Sequence, residues 1–239
     1  MSSTYVSTSN RIAIDGAATG LVNMERDLAC MHSVVDGKFR AVVRIYRFDP
    51  RCISLGRHQR LDQINTDACT RDAIDIVQRP TGGGAVLHAD DLTYSVSCMA
   101  NDPSFGGDVE ASCRKIHGVF VGMLADLGIS TQLAPAANDE RQEARLRLGA
   151  VDCFARPARG ELCLTNGLKI LGSAQMRYGN WLLQHGSLVL QPTPITPYLS
   201  DATADSRIAG VGDLLALSWD ELADAVAAAF ETQFNWGRT

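Results

Sequence analysis

The chain has 239 residues, of which 46% are hydrophobic and 21% charged, with a formal net charge of −5. That length fits one domain able to bury a core without staples, and no apolar run approaches the roughly 18 residues of a membrane span. The acidic balance carries no basic cluster of the kind that grips nucleic acid or a lipid surface, so neither is expected as a partner. Seven cysteines form an odd set with no C-x-x-C pair, which predicts mostly buried free thiols in a reducing, cytoplasmic setting rather than a disulfide or zinc framework. Residues 1–10 are polar and Ser/Thr-rich, have no secretory pattern, and are expected to be disordered.

In chain order, Leu21, Met24, Leu28 and Met31 predict an apolar stripe on a helix from Thr19 to Val34. Ala41–Phe48 and Cys52–Leu55 are β-branched and aromatic enough for strands. A short helix is predicted over Asp67–Asp75, after which Ile76-Val77 leads into a glycine loop, and Ala85–Met99 reads as one or two strands. Val109, Cys113, Ile116, Phe120, Met123 and Leu127 give the most regular helical stripe in the chain. Ala134–Gly149 is small, polar and charged, and is expected to be an exposed connection. Glu161–Thr165 and Leu168–Leu171 flank Asn166-Gly167, a type I′ hairpin signal, and Gly179-Asn180 marks a second hairpin, so residues 161–190 are expected to form an antiparallel meander. A final helix is expected from Ser218, with Glu221 completing a capping box and Leu217 and Leu222 a hydrophobic staple. Helices packed with an antiparallel sheet, without alternating βαβ units, predict an α+β fold.

The chemistry concentrates in two stretches. Arg79-Pro-Thr-Gly82-Gly83-Gly84-Ala85-Val-Leu-His88 lacks the lysine-threonine pair of a phosphate-binding Walker loop and is not a dinucleotide fingerprint. Three glycines before an apolar strand nevertheless let backbone approach a phosphate or carbonyl that a side chain would block. About eighty residues on, Leu168-Lys169-Ile-Leu-Gly172-Ser173-Ala174-Gln175 puts a lysine on a second strand. In adenylation, negative charge grows between a carboxylate and a phosphate, and a fixed ammonium stabilises that state.

With Asn23-Met24 and Asp27, Ser54-Leu-Gly-Arg-His-Gln59 and Gln184-His-Gly-Ser187, these motifs resemble, in order, the lipoate-protein ligase branch of the biotin and lipoate ligase superfamily, which also holds octanoyltransferases. The resemblance covers most of the chain. It implies one catalytic domain over residues 1–239, with a mixed, largely antiparallel sheet flanked by helices and related to class II aminoacyl-tRNA synthetase domains. It further implies that Lys169 is the central cation, that Arg79, Gly82, Gly83, Gly84 and Ala85 line the carboxyl and phosphate end of an acyl-adenylate, that His88 lies beside the acyl chain, and that Gln59, Gly172, Ser173 and Ala174 border the ligand.

The first activity implied is ATP- and Mg2+-dependent activation of lipoate or octanoate and transfer to a lysine of a lipoyl carrier domain, with no metal ligands identified. Ligases of this family often need an accessory domain, which a separate chain would supply here or which this enzyme would do without. The alternative is octanoyl transfer from an acyl carrier without ATP, through a thioester on Cys153. Asp152-Cys153-Phe154 resembles the place where one class of octanoyltransferases keeps its nucleophile, and Leu92-Thr-Tyr-Ser95 also resembles the transferases. Those enzymes generally carry arginine at the third glycine position, whereas Gly84 keeps the ligase form. A non-catalytic relative that binds a lipoyl domain or adenylate is the third alternative. Arg141, Arg145 and Arg147 are candidates for a basic patch toward an acidic carrier.

Overall fold

The computed structural model describes residues 9–135, 152–154, 157–201 and 208–236. The connection expected over 134–149, the arginines at 141, 145 and 147, and residues 1–8 fall almost wholly outside that range. Asn10, placed in the frayed terminus by sequence, instead opens a strand, β1 (Asn10–Ala18), that runs parallel to β2 (Ala41–Phe48).

Seven strands form the main sheet in the order β1-β2-β6-β10-β9-β8-β7, completed by β6 (Asp91–Met99), β7 (Thr131–Leu133), β8 (Leu162–Leu164), β9 (Lys169–Tyr178) and β10 (Trp181–Val189). From β2 onward every neighbour is antiparallel. A second sheet of three strands, in the order β4-β3-β5, joins β3 (Cys52–Leu55), β4 (Asp75–Gln78) and β5 (Val86–His88). The stretch 85–99 is thus two strands in two different sheets.

Alternation along the central strands explains how both faces of the main sheet are covered. Ala41, Val43 and Ile45 on β2 and Leu92, Tyr94, Val96 and Cys98 on β6 join the core under two helices, α3 (Val109–Asp126) and α4 (Trp219–Phe234). The residues between them, Arg44, Tyr46, Thr93, Ser95 and Ser97, are also buried but polar, and face the other way. That second face is covered by α1 (Gly20–Val35) and the small sheet.

The helix ends follow local chemistry. Thr19 caps α1, and Ser218 and Glu221 form the predicted capping box on α4, with Leu222 in the core and Leu217 partly buried against it. The short helix α2 (Thr66–Arg71) stops earlier than expected. Ala73 takes a left-handed φ of 53° and Ile74 N–H bonds back to the Cys69 carbonyl, freeing Asp75 to start β4. The Asn166-Gly167 hairpin forms without a type I′ turn. Only Gly167 has positive φ, at 82°, and Gly167 N–H bonds the Leu164 carbonyl, the three-residue geometry with a bulge.

His117 on α3 is fully buried. Its Nδ1 donates to the Gly160 carbonyl at 2.7 Å, so Nε2 accepts the Tyr94 hydroxyl at 3.1 Å. Burial pushes its pKa down from 6.5 to about 4. The unfolded chain therefore binds the extra proton first, and stability present above pH 6.5 is lost as pH falls toward 4, by about 3 kcal/mol at most. Urea titrations at pH 7 and pH 4.5 should show that loss reduced in His117→Gln; an unchanged loss would assign the acid sensitivity elsewhere.

Candidate functional site

The polar face of the main sheet and the small sheet enclose a cavity of about 350 Å³. Tyr46, Thr93, Gly172–Ala174 and His185–Ser187 line it from the main sheet, and Ser54, Val86 and His88 from the small one, with Arg79 and Cys153 between them.

Arg79 is buried and braces the glycine loop. Its guanidinium donates to the Ser54 carbonyl (2.6 Å), the Ser54 hydroxyl (3.2 Å) and the carbonyls of Gly82 (2.8 Å) and Gly84 (2.5 Å). These acceptors are neutral, so burial lowers its pKa while a charge on Cys153 would raise it. A buried guanidinium with no carboxylate paired to it among the described residues is suited to an anionic or polarised ligand oxygen. Gly83 turns at a φ of +86°, and a Cβ there would lie 3.0 Å from Arg79 Nη2 and 3.9 Å from Cys153 Sγ, so loop, cation and thiol converge. The loop also presses on Gly56, where an added Cβ would sit 1.9 Å from the Gly83 carbonyl oxygen. Gly56→Ala is expected to displace the loop, costing about 1–3 kcal/mol and most ligand affinity; calorimetry of ligand binding beside a thermal melt checks it, and wild-type values in both would refute the fit.

Lys169 does not line the cavity. It lies behind Gly172, at which a Cβ would meet its Nζ at 2.8 Å, and pairs with buried Glu161 at 2.7 Å. Its Nζ donates to the Cys153 carbonyl at 2.8 Å and stands 4.6 Å over the Phe154 ring. Burial works to lower its pKa, but the charges of Glu161 and Cys153 outweigh it and hold the pKa raised. Cys153 itself is half-buried and reaches the cavity; its N–H bonds the Ala85 carbonyl at 2.9 Å, which fixes the thiol segment to the end of the glycine loop. Ala85 is buried beneath that contact, outside the lining. Gln59 also stands outside it, its Oε1 accepting from Gly56 N–H at 2.9 Å, so it shapes the turn that carries the loop.

Two imidazoles complete the wall. His88 is stacked on Phe48, with Nδ1 on Asp91 (2.7 Å) and Nε2 on the Ser54 hydroxyl (2.9 Å). His185 places Nδ1 on Asp27 (3.2 Å) and Nε2 on Thr81 (2.5 Å). Asp27, fully buried, accepts from Arg44 (2.8 Å), Tyr46 (2.8 Å) and Ser95 (2.7 Å). Burial alone would raise its pKa, yet the His185 hydrogen bond and charge, then Arg44, carry it below the ordinary carboxylate value. Sequence reasoning missed Arg44, Ser54's bond, Thr81 and Asp91 as site residues; the available signal was an ionisable residue, Asp27, set among the buried positions of a helix.

The fold places the chain among catalytic domains of lipoate-protein ligase type. It superposes on lipoate-protein ligase A bound with ATP with a TM-score of 0.75 at 21% identity, covering 97% of this chain and 88% of that one. It superposes also on a bi-partite lipoate protein ligase solved with its E2 lipoyl domain from Thermoplasma acidophilum, with a TM-score of 0.71 at 20% identity, covering 98% and 86%. The chain belongs to the lipoyl protein ligase A/B catalytic domain family, which it matches over residues 19–231. By sequence it is 34% identical over 228 residues to the octanoyltransferase LipM of an Exiguobacterium species, covering 89% of this chain and 80% of that protein. Seven further relatives of the same description are 32–36% identical, and the chain spans between 60% and 81% of their lengths, less than two thirds for most. No helix among the described residues is long and apolar enough to cross a membrane.

Proposed function

We propose that this protein is an octanoyltransferase that carries the acyl group as a thioester on Cys153 and passes it to a lysine of a lipoyl carrier domain. The observation that carries this reading is the position of Cys153 Sγ in the cavity, beside the Gly83 turn and Arg79, in a chain whose relatives are described as octanoyltransferases. The thiolate bonds to the carbonyl carbon of a carrier-bound octanoyl thioester, the carbon–sulfur bond to the carrier breaks, and the carrier thiolate takes up a proton on leaving. Arg79, which lines the cavity with Cys153, is the cation placed to face the thiolate. The buried guanidinium of Arg79 also meets the charge that grows on the carbonyl oxygen. Glu161 neutralises Lys169 and keeps it against the Cys153 carbonyl.

A second reading, ATP-dependent activation of lipoate or octanoate, is favoured by Gly84, which leaves the loop free of the arginine that the cysteine transferases generally carry there. Among the described residues no group of three His, Cys, Asp or Glu side chains is placed to hold a metal ion, and the cavity offers imidazole and thiol rather than the carboxylate oxygens that Mg2+ favours. The site therefore does not fit a protein-held magnesium ion, and no step is drawn through one. Intact mass spectrometry of an apo lipoyl domain separates the two readings. Modification from octanoyl acyl carrier protein without nucleotide is the expected result, whereas modification by free octanoate only when Mg-ATP is supplied would replace it with the second.

A further inference from the structure

The two imidazoles face the cavity from opposite sheets, and their carboxylates distinguish them. Asp27 meets a guanidinium, a phenol and a hydroxyl besides His185. Burial lowers the pKa of His185 against the pull of Asp27. Asp91 is different. Its Oδ2 accepts from His88 Nδ1 at 2.7 Å, from Thr93 at 3.2 Å and from Ser187, and no arginine or lysine among the described residues pairs with it. A carboxylate that accepts from one imidazole N–H and two hydroxyls fixes the orientation and tautomer of that imidazole.

We propose that His88, oriented by Asp91, is the general base that receives the proton of the acceptor amine when it attacks the Cys153 thioester. This rests on the acyl-transfer reading above. An ionised carboxylate only accepts, so His88 Nδ1 carries the hydrogen and Nε2 the lone pair. That lone pair receives the Ser54 hydroxyl at 2.9 Å, while Ser54 Oγ accepts from Arg79 Nη1 at 3.2 Å. Ser54, Arg79, His88 and Cys153 all line the one cavity, which places the Ser54–His88 pair on the same space as the acylated thiol. In the step, the acceptor amine, having already given its ammonium proton to solvent, bonds through nitrogen to the acyl carbon, the carbon–sulfur bond breaks and its electron pair returns to sulfur. The amine proton moves to the Ser54 oxygen as the Ser54 hydroxyl passes its own proton to His88 Nε2. The thiolate is left beside Arg79 and the imidazolium beside Asp91, until the imidazolium gives its proton to solvent. The other charged or titratable groups facing the cavity are Arg79, Tyr46 on β2, His185 on β10, and Cys153, whose thiol is acylated and silent at this stage, while Cys52 on β3, in register with His88, is buried outside the lining.

The test isolates the second half-reaction. Wild type, His88→Gln and Asp91→Asn are loaded from octanoyl acyl carrier protein, freed of donor, and mixed with apo lipoyl domain; intact mass follows loss of the acyl-enzyme across the neutral pH range. Discharge of His88→Gln is expected to slow about 10²–10⁴-fold. The ratio of the wild-type rate to that of His88→Gln, in which ionisation of the acceptor amine cancels, should rise with pH and level off, and the same ratio for Asp91→Asn should level off at lower pH, a shift that a merely structural role for Asp91 would not produce. Discharge of His88→Gln within about threefold of wild type, or an Asp91→Asn midpoint equal to wild type, would overturn the assignment. Should either variant fail to load, Ser54→Ala decides: discharge within about threefold of wild type would remove the Ser54–His88 relay and overturn the assignment. A wild type that modifies the carrier without ever accumulating acyl-Cys153 would overturn the thioester reading itself, and the proposal with it.

Discussion

Cys153→Ala is expected to abolish octanoyl transfer from an acyl carrier, with a loss of at least about 10³-fold and no acyl-enzyme detectable by mass. Without the thiol the acceptor amine must attack the donor thioester directly, so donor and acceptor carriers would have to occupy one cavity together. The thiol splits that encounter into two, each needing one carrier at a time. The substitution removes one half-buried sulfur atom and leaves the backbone contacts of the segment, Cys153 N–H to Ala85 and Lys169 to the Cys153 carbonyl, unchanged in kind. Folding should therefore survive, and the loss reads as chemistry. Cys153→Ser, which keeps the shape but offers a weaker nucleophile, should be nearly as poor. An alanine variant that modifies the lipoyl domain at the wild-type rate when given octanoate and ATP would reduce Cys153 to a packing residue and favour adenylation.

Arg44→Met is expected to cost about 3–5 kcal/mol of stability, the largest loss foreseen for a residue outside the cavity lining. Arg44 lies 1% exposed on β2 and donates to Asp27 at 2.8 Å, to the Asn23 side chain at 2.6 Å, to the Asn23 carbonyl at 3.1 Å and to Asp15 at 2.5 Å, with its guanidinium 3.8 Å from the Tyr46 ring centre. Methionine fills much of the volume but leaves a carboxylate buried without its cation. The pH dependence should change as well. In wild type the Asp27 pKa is lowered on folding, so its contribution is present above about pH 4 and is lost as pH falls through the folded-state value. Removing Arg44 leaves desolvation less opposed and raises that pKa, so this part of the acid sensitivity should shrink. Chemical denaturation of Arg44→Met and Arg44→Met/Asp27→Asn between pH 3 and pH 7 measures both effects. The double variant should recover part of the loss, and a single-variant cost below about 1 kcal/mol would contradict the argument.

The strands and helices with strong local patterns could be read from the sequence, and the failures share one cause. In α1 the apolar spacing selects Leu21, which is 61% exposed, because periodicity counts only apolar residues. The buried face instead contains Asn23 and Asp27, acceptable there because Arg44, seventeen residues beyond Asp27, supplies their partners. Val109 and Leu127 likewise end the α3 stripe exposed, since the helix outruns the core it covers. The assignment of 86–88 and 91–99 to different sheets depends on pairing with β3 and β2, which no local pattern encodes. At the site, the glycine loop, Arg79 and Cys153 could be picked out by motif and do converge, whereas Lys169 is turned away from the cavity by Glu161. A histidine is ambiguous in one dimension; His185 acquires its meaning from Asp27, 158 residues away.

The short segment that carries the thiol is gripped on both sides. Asp152 bridges Ala85 of the glycine loop, Cys153 N–H holds the Ala85 carbonyl, and Lys169 of β9 holds the Cys153 carbonyl. The place of the thiol is therefore set by peptide groups of the glycine loop and by a lysine of β9, not by contacts of the sulfur itself.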